Sequence, residues 1–158
     1  MITSPIILLN KTILVVGGAG FIGSNLVKRL ITYKPKKIYI VDNLISADVS
    51  NIPDHPCVEF RFGSISDDLV LYELPNDIEF VFHLGCYHGN QSSIINPIAD
   101  HENNTLTSLK LFNKLSKSSS LVKLIYAGAA CAVAEKTYDQ PTPTTEDQPI
   151  SLYHDSPY

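Results

Sequence analysis

The sequence predicts a doubly wound α/β domain built on a parallel sheet, and three features support this prediction. Five short apolar runs alternate with segments that have the periodicity of a helix. A glycine-rich turn joins the first apolar run to the first helix. The alternation ends near residue 132, beyond which four prolines make a helix or a central strand improbable.

The opening of the chain predicts one βαβ unit. Thr12–Val16 is a β-branched and apolar run that ends in glycines, which is typical of a buried strand. Residues 20–33 place apolar side chains on one helical face, and Pro35 ends that helix. Residues 37–41 form a second apolar run, so a right-handed crossover and parallel pairing are expected.

Three further strands are expected at residues 57–62, 78–84 and 121–126, with a short helix near residues 67–74. A stronger helix is predicted between the last two strands. Asn96 can cap it and Pro97 suits its first turn, while Lys117 would meet its negative end. We therefore expect a domain over residues 1–131, followed by a proline-rich loop over residues 132–158.

Composition narrows the possible functions. The formal charge of -4 provides no basic surface for nucleic acid, and no apolar run is long enough for a membrane span. Three cysteines without a CxxC pair indicate a reducing, cytoplasmic location without disulfides. His83, Cys86 and His88 lack a fourth ligand at a recognisable spacing, so packing is favoured over a metal site.

The glycine-rich turn indicates a dinucleotide site. Gly17, Gly20 and Gly23 form a GxxGxxG pattern between the first strand and the first helix. The first glycine permits a tight turn, the second lets a pyrophosphate approach, and the third lets the helix lie close to the strand. A pyrophosphate is then expected at the helix start, at Gly20, Phe21 and Ile22.

Asp42 indicates which dinucleotide is bound. It lies nineteen residues after Gly23, at the end of the second strand. A carboxylate there can accept hydrogen bonds from the adenosine ribose hydroxyls and would repel a 2′-phosphate, which favours NAD over NADP. The alternative is that Asp42 and Asn43 only form a turn.

Several motifs resemble the extended short-chain dehydrogenase family, which includes nucleotide-sugar epimerases, decarboxylases and dehydratases. The run KTILVVGGAGFIGSNL at residues 11–26 resembles the family's opening, and FHLGC at residues 82–86 its FHLAA segment. Ser93, Pro97 and residues 102–104 resemble SxxxP followed by ENN, and residues 156–158 resemble the start of SPYxxSK. The resemblance implies the N-terminal, NAD-binding Rossmann part of a longer, homodimeric enzyme that acts on a nucleotide sugar through a keto-sugar.

The resemblance also implies roles for individual residues. Tyr158 would be the catalytic acid/base, and its lysine partner would fall four residues later, so this chain alone is expected to be inactive. The implied substrate-side residues are Ser93, Ala129 and Cys131. The implied cofactor-side residues, beyond the glycines, Phe21, Ile22 and Asp42, are Asn43, Ser64, Ile65, Leu84, Gly85 and Asn104.

The chain departs from the family at several of these positions. Ala129 stands where the family has a hydroxyl that bonds the reacting sugar, and Ser64 stands where an aspartate is usual. Ala130 and Cys131 replace the Asp-Glu pair of dehydratases, so epimerisation or decarboxylation is preferred. A non-catalytic dinucleotide-binding or sensing module remains the alternative.

Overall fold

The computed structural model describes residues 5–87, 89–128, 143 and 145–147. Five parallel strands form one sheet in the order β3-β2-β1-β4-β5. They are β1 (Thr12–Val16), β2 (Lys37–Asp42), β3 (Val58–Phe62), β4 (Phe80–His83) and β5 (Lys123–Tyr126). All five predicted strands are present, and all lie in the compact unit Met1–Tyr126.

The strand order reverses at β1. The chain runs from β1 outward through β2 to β3, and then returns to place β4 on the other side of β1. At its carboxyl end, Val16 therefore pairs with Val41 of β2 on one side and His83 of β4 on the other. Ligands of open α/β sheets bind at this kind of reversal, outside the carboxyl ends of the strands.

In the part of the chain that the structure describes, five α-helices connect the strands. They are α1 (Phe21–Ile31), α2 (Asp68–Glu73), α3 (Asn90–Ile95), α4 (Pro97–His101) and α5 (Thr107–Leu115), and a π-helical segment, Glu102–Leu106, lies between α4 and α5. Among the described residues, no helix has the length and apolar character needed to cross a membrane.

The helix predicted from Asn96 starts as expected. The Asn96 side chain accepts a hydrogen bond from the backbone N–H of Ala99, and Pro97 occupies the first turn. The prediction missed α3 before it and the π-helical segment within it. Within that segment, the Thr107 hydroxyl donates to the Glu102 carbonyl at 2.6 Å and the Ser108 hydroxyl to the Asn104 carbonyl at 2.7 Å. Hydroxyl bonds of this kind to carbonyls of the preceding turn often accompany a bend in a helix.

The core has two layers because side chains of β1 alternate between the faces of the sheet. Ile13 and Val15 pack with Val27 and Leu30 of α1. Leu14 and Val16 pack on the opposite face with apolar side chains that include Leu111 and Leu115 of α5. Helices therefore cover both faces, which is the doubly wound architecture that the sequence predicted.

Candidate functional site

A cavity of about 450 Å³ lies at the carboxyl ends of β1, β2 and β4. Every residue expected to bind the cofactor lines this cavity, except Asn104. These lining residues are Gly17, Gly20, Phe21, Ile22, Gly23, Asp42, Asn43, Ser64, Ile65, Leu84 and Gly85. The topology thus brings together residues from four separate stretches of the chain at the predicted edge of the sheet.

The structural need for glycine differs among the three positions of the motif. At Gly17, φ is +78°, and an added Cβ would lie 2.6 Å from the backbone nitrogen of Gly85. At Gly23, a Cβ would lie 2.1 Å from the carbonyl oxygen of Gly17, so only glycine lets α1 start this close to β1. At Gly20, by contrast, the nearest atom would be the Gly17 oxygen at 3.4 Å, which is an ordinary contact. Folding therefore does not require glycine at position 20, and its small size keeps that part of the cavity wall open.

The start of α1 is suited to an anion. Gly20 caps this 11-residue helix without any side-chain hydrogen bond, and Phe21, Ile22 and Gly23 line the cavity. The first N–H groups of a helix have no partner within the helix and carry its partial positive charge. A phosphate oxygen can accept hydrogen bonds from such groups. Phe21 is 85% exposed, so its packing in the fold does not explain its apolar side chain.

Asp42 connects two loops at the end of β2. One carboxylate oxygen accepts the Ala19 N–H at 2.9 Å, and the other accepts the Leu44 N–H at 2.9 Å. The turn considered as the alternative for Asp42 is therefore present. A carboxylate oxygen can accept more than one hydrogen bond, so acceptor capacity remains for ribose hydroxyls. The turn and the proposed ribose contact are compatible.

Ser64 lies across the cavity, after β3. Its hydroxyl is 2.8 Å from the Ser66 hydroxyl and accepts the Ser66 N–H at 3.2 Å. The neighbouring Ile65 is buried in the core that contains Leu14 and Val16. A serine bonded in this way offers a ligand a weaker, uncharged partner than the aspartate usual in the family.

The segment after β4 forms the remaining wall. Leu84 and Gly85 line the cavity, and Cys86 and Tyr87 continue the wall beyond them. Asn104 lies behind this wall: its amide oxygen accepts the Tyr87 N–H at 2.8 Å and its amide nitrogen donates to the Tyr87 carbonyl at 3.0 Å. Asn104 thus contacts the backbone of a lining residue, while its neighbour Asn103 lines the cavity itself.

His83, at the end of β4, is 1% exposed and does not line the cavity. Its Nε2 lies 3.2 Å from the Ser108 hydroxyl, which donates its own hydrogen to the Asn104 carbonyl. Nε2 must therefore carry the proton and donate to that hydroxyl. Nδ1 has no partner among the described residues, and burial lowers the pKa of the ring to about 4. The imidazole is consequently neutral near pH 7.

Of the residues expected on the substrate side or in catalysis, the structure describes only Ser93. Ser93 is 3% exposed, does not line the cavity, and its hydroxyl lies 2.7 Å from a carboxylate oxygen of Asp100. Ala129, Cys131 and Tyr158 lie outside the described residues, as does His88.

Sequence reasoning missed several lining residues: Val16, Val41, Ile45, Ser46, Ala47, Gly63, Cys86, Tyr87, Asn103 and Thr107. Most of them adjoin predicted site residues at strand ends, and their position along the chain could have indicated them. Asn103 and Thr107 are different. They reach the cavity from the π-helical segment and its end, which the apolar pattern does not reveal.

Comparison with known proteins gives consistent similarities. The UDP-glucose 4-epimerase of Streptococcus mutans serotype c is 33% identical over 153 residues, which cover 91% of this chain and 43% of that enzyme. A crystal structure of the Bordetella bronchiseptica enzyme WbmF in complex with NAD+ and UDP is 49% identical, with a TM-score of 0.79 over 96% of this chain and 41% of that one. UDP-glucose 4-epimerase from Thermotoga maritima, crystallised with UDP-glucose, is 33% identical, with a TM-score of 0.79 over 93% of this chain and 46% of that one.

The chain spans less than half the length of these relatives. The family model for the NAD dependent epimerase/dehydratase family matches residues 13–158, which is nearly the whole chain. This chain belongs to the NAD-dependent epimerase/dehydratase family.

Proposed function

We propose that this chain binds NAD and forms the dinucleotide-binding part of a nucleotide-sugar epimerase or decarboxylase. The observation that carries the proposal is the cavity at the strand reversal, which is lined by the start of α1 without a side-chain cap, by Gly20 and by the Asp42 carboxylate. Bound NAD would supply the hydride acceptor that oxidises a sugar carbon to a ketone. The residues of this chain would bind and orient it.

Each part of the cavity suits a different group of NAD. The pyrophosphate would lie at Gly20, Phe21 and Ile22, where the first backbone N–H groups of α1 can donate hydrogen bonds to it. Asp42 would accept the ribose hydroxyls, and a 2′-phosphate would be repelled by its carboxylate. Ser64 would offer the adenine a hydroxyl. NAD should therefore bind more tightly than NADP.

The substrate proposal goes further than the fold. Relatives named for UDP-glucose, and a neighbour crystallised with UDP, support a nucleotide sugar as substrate. Tyr158 would exchange the proton of the reacting hydroxyl, with Ser93, Ala129 and Cys131 on the substrate side. Ala130 and Cys131 in place of an acidic pair favour epimerisation or decarboxylation over dehydration. A homodimeric intact enzyme and a cytoplasmic location belong to the same proposal.

Calorimetric titration of the 158-residue chain with NAD and NADP tests the cofactor proposal. We expect NAD to bind at least about fivefold more tightly, since repulsion of a 2′-phosphate by one carboxylate is worth about 1 kcal/mol or more. Equal affinities, or binding of neither, would refute it. We expect no product when the NAD-loaded chain is incubated with UDP-glucose, because the lysine partner of Tyr158 is not among its residues.

A second candidate function is a dinucleotide-binding module without turnover. Ala129 favours it, because a methyl group cannot donate the hydrogen bond that the family gives to the sugar hydroxyl. Sequencing the gene beyond codon 158 separates the two functions. A lysine codon four positions after Tyr158 would support the enzyme, and its absence in a frame that continues would support the binding module.

A further inference from the structure

The side-chain amide of Asn104 is fully occupied by protein groups. Its oxygen accepts the Tyr87 N–H at 2.8 Å. Its nitrogen donates to the Tyr87 carbonyl at 3.0 Å and to a carboxylate oxygen of Asp100 at 2.9 Å. Both amide hydrogens are thus donated, which fixes which way the amide faces.

Asp100 connects this amide to α3. The carboxylate oxygen that accepts the Asn104 amide also accepts the hydroxyl of buried Ser93 at 2.7 Å. The Ser93 hydroxyl also lies 3.2 Å from the Gly89 carbonyl, and its single hydrogen is best directed at the closer, charged acceptor. Asp100 is therefore the junction between α3 and the residues that hold Tyr87.

We propose that Asp100 is a positioning residue, which holds the Asn104 amide against the backbone of Tyr87 and thereby shapes the cavity wall that Cys86 and Tyr87 form. Without this carboxylate, the second amide hydrogen of Asn104 loses its acceptor and the side chain gains rotational freedom. The Asn104 backbone stays fixed, because its carbonyl still accepts the Ser108 hydroxyl. The effect should consequently be confined to the side-chain amide and to the wall it supports.

The binding test rests on the proposed NAD function and compares Asp100→Ala with Asp100→Asn. Loss of the acceptor in Asp100→Ala should weaken NAD binding about 3- to 10-fold, since hydrogen bonds to charged groups are among the stronger ones and this one acts indirectly. Asp100→Asn keeps an acceptor oxygen of the same shape and should recover most of the affinity. Asp54→Asn removes the same charge at an exposed position outside the cavity and should leave NAD affinity unchanged.

A double-mutant cycle tests whether Asp100 acts through Asn104. In an Asn104→Ala background, Asp100→Ala should cause no further loss of NAD affinity, because the contact it supports is already gone. An equal loss in both backgrounds would overturn the proposal, since Asp100 would then act by another route. Unchanged affinity in Asp100→Ala alone would overturn it as well.

Amide hydrogen exchange in the ligand-free protein provides a test that does not depend on NAD. The Tyr87 amide should exchange several-fold faster in Asp100→Ala and slightly faster in Asp100→Asn, while the Val15 amide in β1 keeps its rate. Unchanged Tyr87 exchange in both variants would overturn the proposal. If Asp100→Ala does not fold, the Tyr87 exchange rate in Asp100→Asn decides: a faster rate supports the proposal, and an unchanged rate overturns it. Failure of the unmodified chain to bind NAD would refute the proposed function and leave this exchange test standing.

Discussion

The carboxylate of Asp42 accepts the backbone N–H of Ala19 at 2.9 Å, so the end of β2 is tied directly to the glycine-rich turn after β1. The same carboxylate accepts the Leu44 N–H at 2.9 Å through its other oxygen. One side chain therefore orders two loops that line the cavity, in addition to its proposed contact with ribose.

Replacing Asp42 should change both affinity and selectivity. Asp42→Ala should weaken NAD binding at least about tenfold, since a charge-assisted contact and the order of two loops are lost together. It should also reduce the preference for NAD over NADP, because the carboxylate that repels a 2′-phosphate is then absent. Asp42→Asn keeps one acceptor oxygen, so its NAD affinity should lie between that of Asp42→Ala and that of the unmodified protein. Calorimetry with both dinucleotides measures this, and an Asp42→Ala variant with undiminished NAD affinity would disprove the ribose contact.

The glycines offer a matched pair of substitutions with opposite consequences. Gly23→Ala would place a Cβ 2.1 Å from the Gly17 carbonyl oxygen, so α1 must shift and the free energy of unfolding should fall by about 2 kcal/mol or more. Gly20→Ala meets nothing closer than 3.4 Å, so its cost in stability should be limited to about 1 kcal/mol, because alanine is a poorer N-cap residue than glycine.

Gly20→Ala should nevertheless weaken NAD binding about tenfold or more, because its methyl group would occupy the space proposed for the pyrophosphate. Urea unfolding and NAD titration of both variants separate the two effects. A Gly20→Ala variant that is stable and binds NAD normally would show that the pyrophosphate lies elsewhere. A stable Gly23→Ala variant would show that the close approach of α1 to β1 can relax.

Much of the fold follows from the sequence because its signals are local. Thr12–Val16 and residues 37–41 are apolar runs of strand length, and Asn96 with Pro97 marks a helix start by its own chemistry. The first strand has the expected bounds, and the ends of the others differ from the expected ones by up to two residues, since pairing with neighbouring strands decides where hydrogen bonding stops. Helix α3 was missed because its six residues give no helical apolar pattern.

In the candidate site, too, some residues could be located from the sequence and others could not. Gly17, Gly23 and Asp42 could be located at the cavity from the sequence because a backbone constraint or a charge marks each of them, and their cofactor roles stay predictions. Asn104 could be named but not placed: its side chain turns towards Tyr87 and Asp100, and that direction depends on the π-helical segment. The hydroxyls of Thr107 and Ser108 bond carbonyls of that segment, and an apolar pattern does not reveal such contacts.

His83 predicts how stability depends on pH. Burial lowers its pKa to about 4, against an ordinary value of 6.5. Between these values the unfolded chain binds a proton that the folded ring does not, so stability is full above pH 6.5 and falls as the pH drops towards 4. From pH 7 to pH 5, this histidine alone should remove about 2 kcal/mol from the free energy of unfolding.

The variant His83→Phe isolates this contribution. Phenylalanine keeps an aromatic ring beside Phe112 and Tyr126, which His83 meets edge-on at centroid distances of 6.3 and 5.3 Å, but it cannot bind a proton. Urea unfolding at pH 7 and pH 5 should therefore show a smaller loss of stability on acidification in His83→Phe than in the unmodified protein. The variant His101→Gln, at an exposed position, serves as the control for replacing a histidine. If His83→Phe and the unmodified protein lose the same stability between the two pH values, the buried imidazole must gain a proton without unfolding. Its unpartnered Nδ1 would then have to find an acceptor when protonated, which the surrounding apolar and aromatic packing among the described residues does not provide.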